Sequence, residues 1–259
     1  MSLSAEQKVE IESVLKASLR EKFKNYNPEP ASMPFHTRLL GKDRLALYAF
    51  IHSLNTNFGS TIFEPVGLAL GKANFKEAAA HIDAGGQISD EAQKVIQKII
   101  DGLTTGSTNP NKVDEIAMIR KVAQKGKMIK VKLTKVDLTV TSKKDERYFF
   151  DIKTAKPNAG SFKEFKRTLL EWVAAVLANN SDAQINTLIA IPYNPYEPEP
   201  YNRWTMRGML DLPNELKVAE EFWNFLGGEG TYQDLLSCFE RVGVELRDEI
   251  DEYFKRFNR

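Results

Sequence analysis

The stretch from Met128 to Pro192 limits the fold more than any other, because its apolar spacing passes from period two to a helical period and back. KVKLTKVDLTV alternates through Val131 and Leu133. After a change of phase near Asp137 it alternates through Val136, Leu138 and Val140, as a strand with a bulge would. TSKKDER is a charged turn and YFFDIKTA a second strand, so residues 130–155 predict a β-hairpin. SFKEFKRTLLEWVAAVLAN predicts a helix capped by Ser161, with Phe162, Phe165, Leu169, Trp172, Val173 and Val176 on one face. NTLIAIP then reads as a buried strand. The order strand, strand, helix, strand implies an α/β (α+β) fold with a central mixed β-sheet flanked by helices.

Helices surround this segment. Residues 4–24 and 42–57 carry apolar residues three and four apart, and both read as helices. Between them the proline-containing NPEPASMPFHTRLLGKD reads as a connector that leaves His36, Arg38 and Lys42 on exposed backbone. A third helix is expected from about Ile62 to Asn74, with Ser60 or Thr61 as its cap and Glu64 and Pro65 in its first turn. Residues 75–105 read as a helical insertion in which Ser89 starts a new helix, and 104–112 as a loop. PYNPYEPEPYNRWTMRG, residues 192–208, is too rich in proline for regular structure and predicts a long ordered aromatic loop. Residues 214–226 and 231–257 predict two more helices. With no internal repeat or low-complexity tract, the expectation is one domain over residues 1–259. Its catalytic core would span about 58–192, with the aromatic loop and C-terminal helices over 193–259.

Composition removes several function classes. No apolar run approaches the length of a membrane span, and the N-terminus MSLSAEQKVEIES lacks the features of a secretion signal, so a secreted protein is not expected. One cysteine, Cys238, and three scattered histidines, His36, His52 and His81, do not make a zinc or HNH-type site, so any metal is expected on oxygen ligands. A net charge of +1 hides a segregation. From Lys112 to Arg167 there are 16 basic against 7 acidic residues, and from Glu215 to Arg259 there are 11 acidic against 6 basic. The basic middle could lie along phosphates, or could be a solvated lysine-rich face.

Phosphodiester hydrolysis needs an activated water and a divalent ion that neutralises charge growing on phosphorus. Asp137 and Asp151 stand on the two strands of the predicted hairpin, where they could converge on one Mg2+ with the Ile152 carbonyl as a further ligand. Residues two apart on a strand share a face, so Lys153 would project beside Asp151 and could polarise the attacking water. Asp-X-Lys triplets also arise by chance on solvated strands. What favours chemistry is the second carboxylate in an otherwise apolar run, where an unpaired charge is costly to bury.

The order Asp137, hairpin, Asp151-Ile152-Lys153 and helix resembles the PD-(D/E)XK nucleases. FGSTIFEPVGLAL, FFDIKTAKPN followed by KRTLLEW, and PYNPYEPEPYNRWT are similar to the TdeIII family of type II restriction endonucleases, from about residue 34 to about residue 240. The chain departs from the class in having Val136 where proline often precedes the first acid, and Asp151 where glutamate often stands. The resemblance implies a restriction-endonuclease-like core and Mg2+-dependent cleavage of double-stranded DNA at a GGNCC-like site, leaving 5′-phosphates. It also implies a homodimer, a cognate DNA methyltransferase protecting the same site, and a bacterial or archaeal cytoplasm. Glu64 matches the helix acid such enzymes add to the metal site, although a first-turn glutamate is equally explained by the helix dipole.

For DNA contact, Lys156 and Asn158 after the catalytic strand, and Lys163, Lys166 and Arg167 opening the next helix, are candidates for phosphates. Arg203 and Arg207 in the aromatic loop, with His36 and Arg38, are candidates for base edges. Tyr193, Tyr196, Tyr201 and Trp204 are better explained as packing that loop on the domain than as stacking on bases. Two rivals remain: a structure-specific repair or junction-resolving nuclease of the same class, and a DNA-binding module that has lost catalysis. The intact set of Asp137, Asp151 and Lys153 argues against the second.

Overall fold

The computed structural model describes residues 3–26, 33–153, 159–202, 206 and 208–255. Helices α1 (Ala5–Asn25), α2 (Pro34–Leu40) and α3 (Lys42–Phe58) open the chain, and a π-helical turn at Gly59–Phe63 carries α3 directly into α4 (Glu64–Asn74). Strand β1 (Glu77–Ile82), the short β2 (Gln87–Ser89), α5 (Asp90–Thr105), α6 (Lys112–Arg120) and β3 (Met128–Lys130) follow. The hairpin is β4 (Val136–Thr141) and β5 (Arg147–Ile152), after which come α7 (Phe162–Asn179) and β6 (Ile185–Ile191). The chain then runs through α8 (Leu212–Glu215), β7 (Leu216–Val218), α9 (Glu220–Gly227), α10 (Thr231–Glu245) and α11 (Arg247–Lys255). A five-stranded sheet of order β1-β4-β5-β6-β7 forms the centre, antiparallel across β1-β4-β5 and parallel across β5-β6-β7. This is the mixed sheet, flanked by helices, that the sequence pattern predicts, and it is consistent with the restriction-endonuclease-like core that the resemblance implies. No helix among the described residues is long and apolar enough to cross a membrane.

Strand alternation distributes β5 over both faces of the sheet. Phe149 meets Trp172 of α7 edge to face, whereas Phe150, on the other face, packs against Phe222 and Phe225 of α9. Helix α7 is buried well beyond one stripe, since it touches the sheet on one side and α5 and α6 on the other. On the opposite face α4 lies unusually close to β1 and β4. A Cβ at Gly67 would stand 2.9 Å from Leu138, and one at Gly71 would stand 2.9 Å from both Ala78 and Val140. This contact fixes the N-terminal end of α4 against the end of the sheet where the site lies.

Several local expectations are corrected. Residues 75–105 are not wholly helical: the alanine-rich EAAAHI is edge strand β1, paired with β4, because small side chains there admit α4. Ser89 does cap α5, accepting from the Ala92 N–H at 3.0 Å. The connector before α3 contains a helix, α2, with Pro34 in its first turn, where a missing N–H costs nothing. His36 and Arg38 are therefore exposed on a helix, and Lys42 opens α3. Neither Ser60 nor Thr61 caps a helix, because the chain does not leave helical turns between α3 and α4. Ser161 gives α7 no side-chain cap; a 3-10 turn over Ala159–Ser161 leads in instead.

The apparent phase change near Asp137 also has a different origin. Met128–Lys130 pairs with β2 in a separate ribbon, residues 131–135 lie outside any strand, and the register of β4 is continuous on both sides, with no bulge in it. Residues 216–218, expected to be helical, are edge strand β7, and the last predicted helix is broken at Leu246 into α10 and α11. Among the described residues of the 192–208 loop there is no strand, as expected. Tyr196 and Tyr201 approach each other at 5.8 Å between centroids, and the Tyr232 hydroxyl donates to Glu197 at 3.0 Å. Trp204 lies outside the described residues.

Candidate active site

The site sits where β1, β4 and β5 reach the same end of the sheet. The pair Leu138↔Phe150 sets Asp137 opposite Asp151, and the pairs Ala80↔Leu138 and Ile82↔Val136 set His81 opposite Asp137. Three polar residues on neighbouring strands thus form one row across the sheet. The Ile152 N–H donates to Asp137 Oδ2 at 2.8 Å, so the side chain continues the ladder where the backbone pairing of β4 and β5 stops. Lys153 follows directly, its N–H donating to the Ala190 carbonyl of β6 at 2.9 Å. Its Nζ stands 2.5 Å from Asp151 Oδ1 and 5.1 Å from the centre of the Phe165 ring. Glu64 arrives from α4.

The carboxylates are held in a poorly solvated corner. Asp151 is only 3% exposed, and burial pushes its carboxyl up to about 6 despite the opposing attraction of Lys153. Burial also raises Asp137, offset in part by the Ile152 N–H and increased by the nearby charge of Glu64. The two aspartates lie within hydrogen-bonding reach of each other. Burial raises Glu64 as well, against the opposing charges of His81 and Lys153. Three acids each raised by burial, with one partly exposed lysine among them, leave the corner short of positive charge.

The donor set fits a hard divalent cation. Asp137 and Asp151 offer converging oxygens, and Glu64 Oε2 is buried without a hydrogen-bond partner among the described residues. Asp137, Asp151 and the Ile152 carbonyl would hold the ion. Glu64 does not join them in one cluster: among the described residues no three His, Cys, Asp or Glu side chains converge on a single metal position. The donors fall into two adjoining pairs, Asp137 with Asp151 and Glu64 with His81. His81 is the residue that sequence reasoning missed. Its signal depended on seeing Glu77–Ile82 as a strand, which would have placed it in the row with Asp137.

The residues proposed for DNA contact divide. His36 and Arg38 are exposed on α2, and Lys163 is half-buried in the first turn of α7. Arg167 donates to Gln97 Oε1 on α5 at 2.8 Å. Lys166 is a correction. It is fully buried, and its Nζ is bound to Glu115 Oε2 at 2.5 Å and Glu215 Oε2 at 2.6 Å, so it cannot reach a phosphate. Lys112 completes a buried quartet, donating to Glu215 Oε1 at 2.9 Å and Thr187 Oγ1 at 2.6 Å. Burial alone would raise Glu215, but Lys112 and Lys166 together hold its carboxyl below the usual range. The quartet ties α6, α7 and the α8–β7 segment together. Arg120, from the basic middle segment, is likewise spent on structure, donating to the Ser181 and Ala183 carbonyls. Lys156, Asn158, Arg203 and Arg207 lie outside the described residues.

The chain as a whole is similar to type II restriction enzymes. The chain is 25% identical to the type II restriction enzyme HgiCII of Herpetosiphon aurantiacus over 221 residues, covering 84% of this chain and 80% of that enzyme. It is 25% identical to HgiBI of the same organism over 246 residues, covering 91% and 88%. With the type II restriction enzyme MjaII of Methanocaldococcus jannaschii the identity is 26% over 273 residues, covering 93% and 71%. The model of the HinfI type II restriction endonucleases matches residues 3–243. The chain belongs to the HinfI family of type II restriction endonucleases, enzymes that are site-specific deoxyribonucleases.

Proposed function

We propose that this chain cuts both strands of a short duplex DNA site in a Mg2+-dependent reaction, leaving 5′-phosphates, with Asp137, Asp151 and Lys153 as its catalytic core. The observation that carries the reading is the pairing of a buried carboxylate, Asp151, with a half-buried one, Asp137, on adjacent strands, with a lysine Nζ 2.5 Å from Asp151. When bound, Mg2+ supplies the charge that neutralises the phosphate in the transition state. Asp137 and Asp151 hold that position rigidly because β4 and β5 are central strands, and the Ile152 N–H fixes the rotamer of Asp137. Lys153 Nζ is placed to orient a water and to offset phosphate charge. The resemblance to the TdeIII enzymes supports a GGNCC-like site, and a near-palindromic site supports a homodimer and a methyltransferase of matching specificity. Lys163, Arg167, Lys156 and Asn158 are proposed to meet phosphates, and His36, Arg38, Arg203 and Arg207 to approach bases.

Plasmid DNA incubated with the protein and Mg2+ is expected to give discrete bands whose ends, once sequenced, reveal the site. Asp151→Ala and Lys153→Ala are expected to retain DNA binding in a mobility-shift assay and to lose cleavage. A smear of products would favour a structure-specific nuclease. Cleavage that survives both substitutions would overturn the assignment of the core.

A further inference from the structure

His81 and Glu64 form a second pair of potential ligands beside the aspartates. His81 Nε2 lies 2.9 Å from Glu64 Oε2, yet the approach is not aligned as a hydrogen bond, and that oxygen, on a side chain only 9% exposed, has no hydrogen-bond partner among the described residues. A nitrogen and an oxygen held this close without bonding to each other have the spacing of two neighbouring corners of a coordination shell. Donors 2.9 Å apart and each about 2.1 Å from a common ion subtend an angle of about 90°, the angle between adjacent ligands of an octahedron. The backbone is committed to the placement: His81 takes φ 55°, in the left-handed region, inside a strand whose flanking pairs are regular. A non-glycine residue there is strained, and the surrounding pairing must offset that strain. His81 remains 57% exposed on its side chain, so the pair opens to solvent and an ion could enter.

We propose that Glu64 and His81 form a cation subsite of their own, which takes a first-row transition dication, such as Mn2+, in preference to Mg2+. An imidazole nitrogen adds little for hard Mg2+ and more for transition ions, whereas the oxygen-only pair of Asp137 and Asp151 suits Mg2+. The subsite rests on the nuclease reading only in adjoining its core, because the pair is defined by its own geometry. It would bring a second positive charge toward the corner where Asp137, Asp151 and Glu64 crowd, the arrangement by which two ions flank a scissile phosphate.

The test is Mn2+ binding without DNA, followed by pulsed electron paramagnetic resonance on untagged protein. Wild type is expected to show the nitrogen hyperfine coupling of a directly bound imidazole, and [15N]histidine labelling is expected to change its pattern. His81→Asn, which tolerates the left-handed backbone, is expected to lose that coupling and to bind Mn2+ at least about tenfold more weakly, with Mg2+ affinity little changed. Glu64→Gln is expected to weaken the coupling, and Asp151→Asn to keep it. Wild type without nitrogen coupling, or coupling that persists in His81→Asn, would overturn the subsite while leaving the aspartate core standing. Failure of wild type to cut DNA in Mg2+ would count against the core and not against the subsite.

Discussion

Replacing Asp151 by Asn should stabilise the metal-free protein, and the effect should depend on pH. Asp151 is 3% exposed, and its folded-state carboxyl is raised to about 6 from an ordinary 3.8, chiefly by burial. A carboxyl raised in the folded state favours folding while protonated. That contribution is complete below about pH 4 and is lost as pH rises through about 6, so ionised Asp151 works against the fold at pH 8. Two pH units correspond to about 3 kcal/mol. Asn has the shape of the protonated acid and carries no charge to bury. Lys153 loses its partner but is partly exposed and can be resolvated. For a chain of this size, about 3 kcal/mol corresponds to a melting-temperature gain of roughly 6–12 °C. The assay is a series of thermal melts of both proteins from pH 4 to pH 8 in chelator. Asn should melt with wild type at pH 4 and well above it at pH 8, and saturating Mg2+ should raise wild type more than the variant. A variant no more stable than wild type at pH 8, or a difference that ignores pH, would refute the claim that burial without compensating charge dominates this corner.

Other consequences follow from the same structure. Lys166→Met leaves Glu115 and Glu215 buried without their shared cation and should cost about 3–5 kcal/mol in urea unfolding; a loss under 1 kcal/mol would show that the quartet is not the brace described here. Lys163→Ala should instead leave stability nearly unchanged and reduce the slope of log affinity against log salt by about one, as loss of a single phosphate contact does; an unchanged slope would remove Lys163 from the DNA face. Gly71→Ala puts a methyl 2.9 Å from Ala78 and Val140 and should destabilise by about 1–3 kcal/mol, read by chemical unfolding; a neutral result would mean that α4 does not bear closely on β1 and β4.

The hairpin, α7 and β6 were legible because each announces itself locally, by alternation, by a helical stripe or by an unbroken apolar run. The edges of the sheet were not. EAAAHI has the local preferences of a helix and becomes β1 only because β4 offers a ladder and α4 demands small side chains beneath it, and neither is visible within the segment. Lys166 shows the opposite failure. Residues 162, 166, 169, 170 and 173 make one stripe of α7, so the lysine falls on the buried face by spacing alone, and its charge drew attention to DNA when its position pointed to the core. What spacing could not supply was the partner, because Glu115 and Glu215 are distant in sequence. The same logic governs the metal. Counting one cysteine and three scattered histidines implied ligands of oxygen only, and the proposed Glu64–His81 subsite would depart from that, because a count constrains a site only when every member is far from it. Once β1 pairs with β4, a histidine more than fifty residues from Asp137 stands opposite it, and the question becomes one of placement rather than number. A residue in an unrecognised strand is thereby hidden twice, from the fold and from the chemistry.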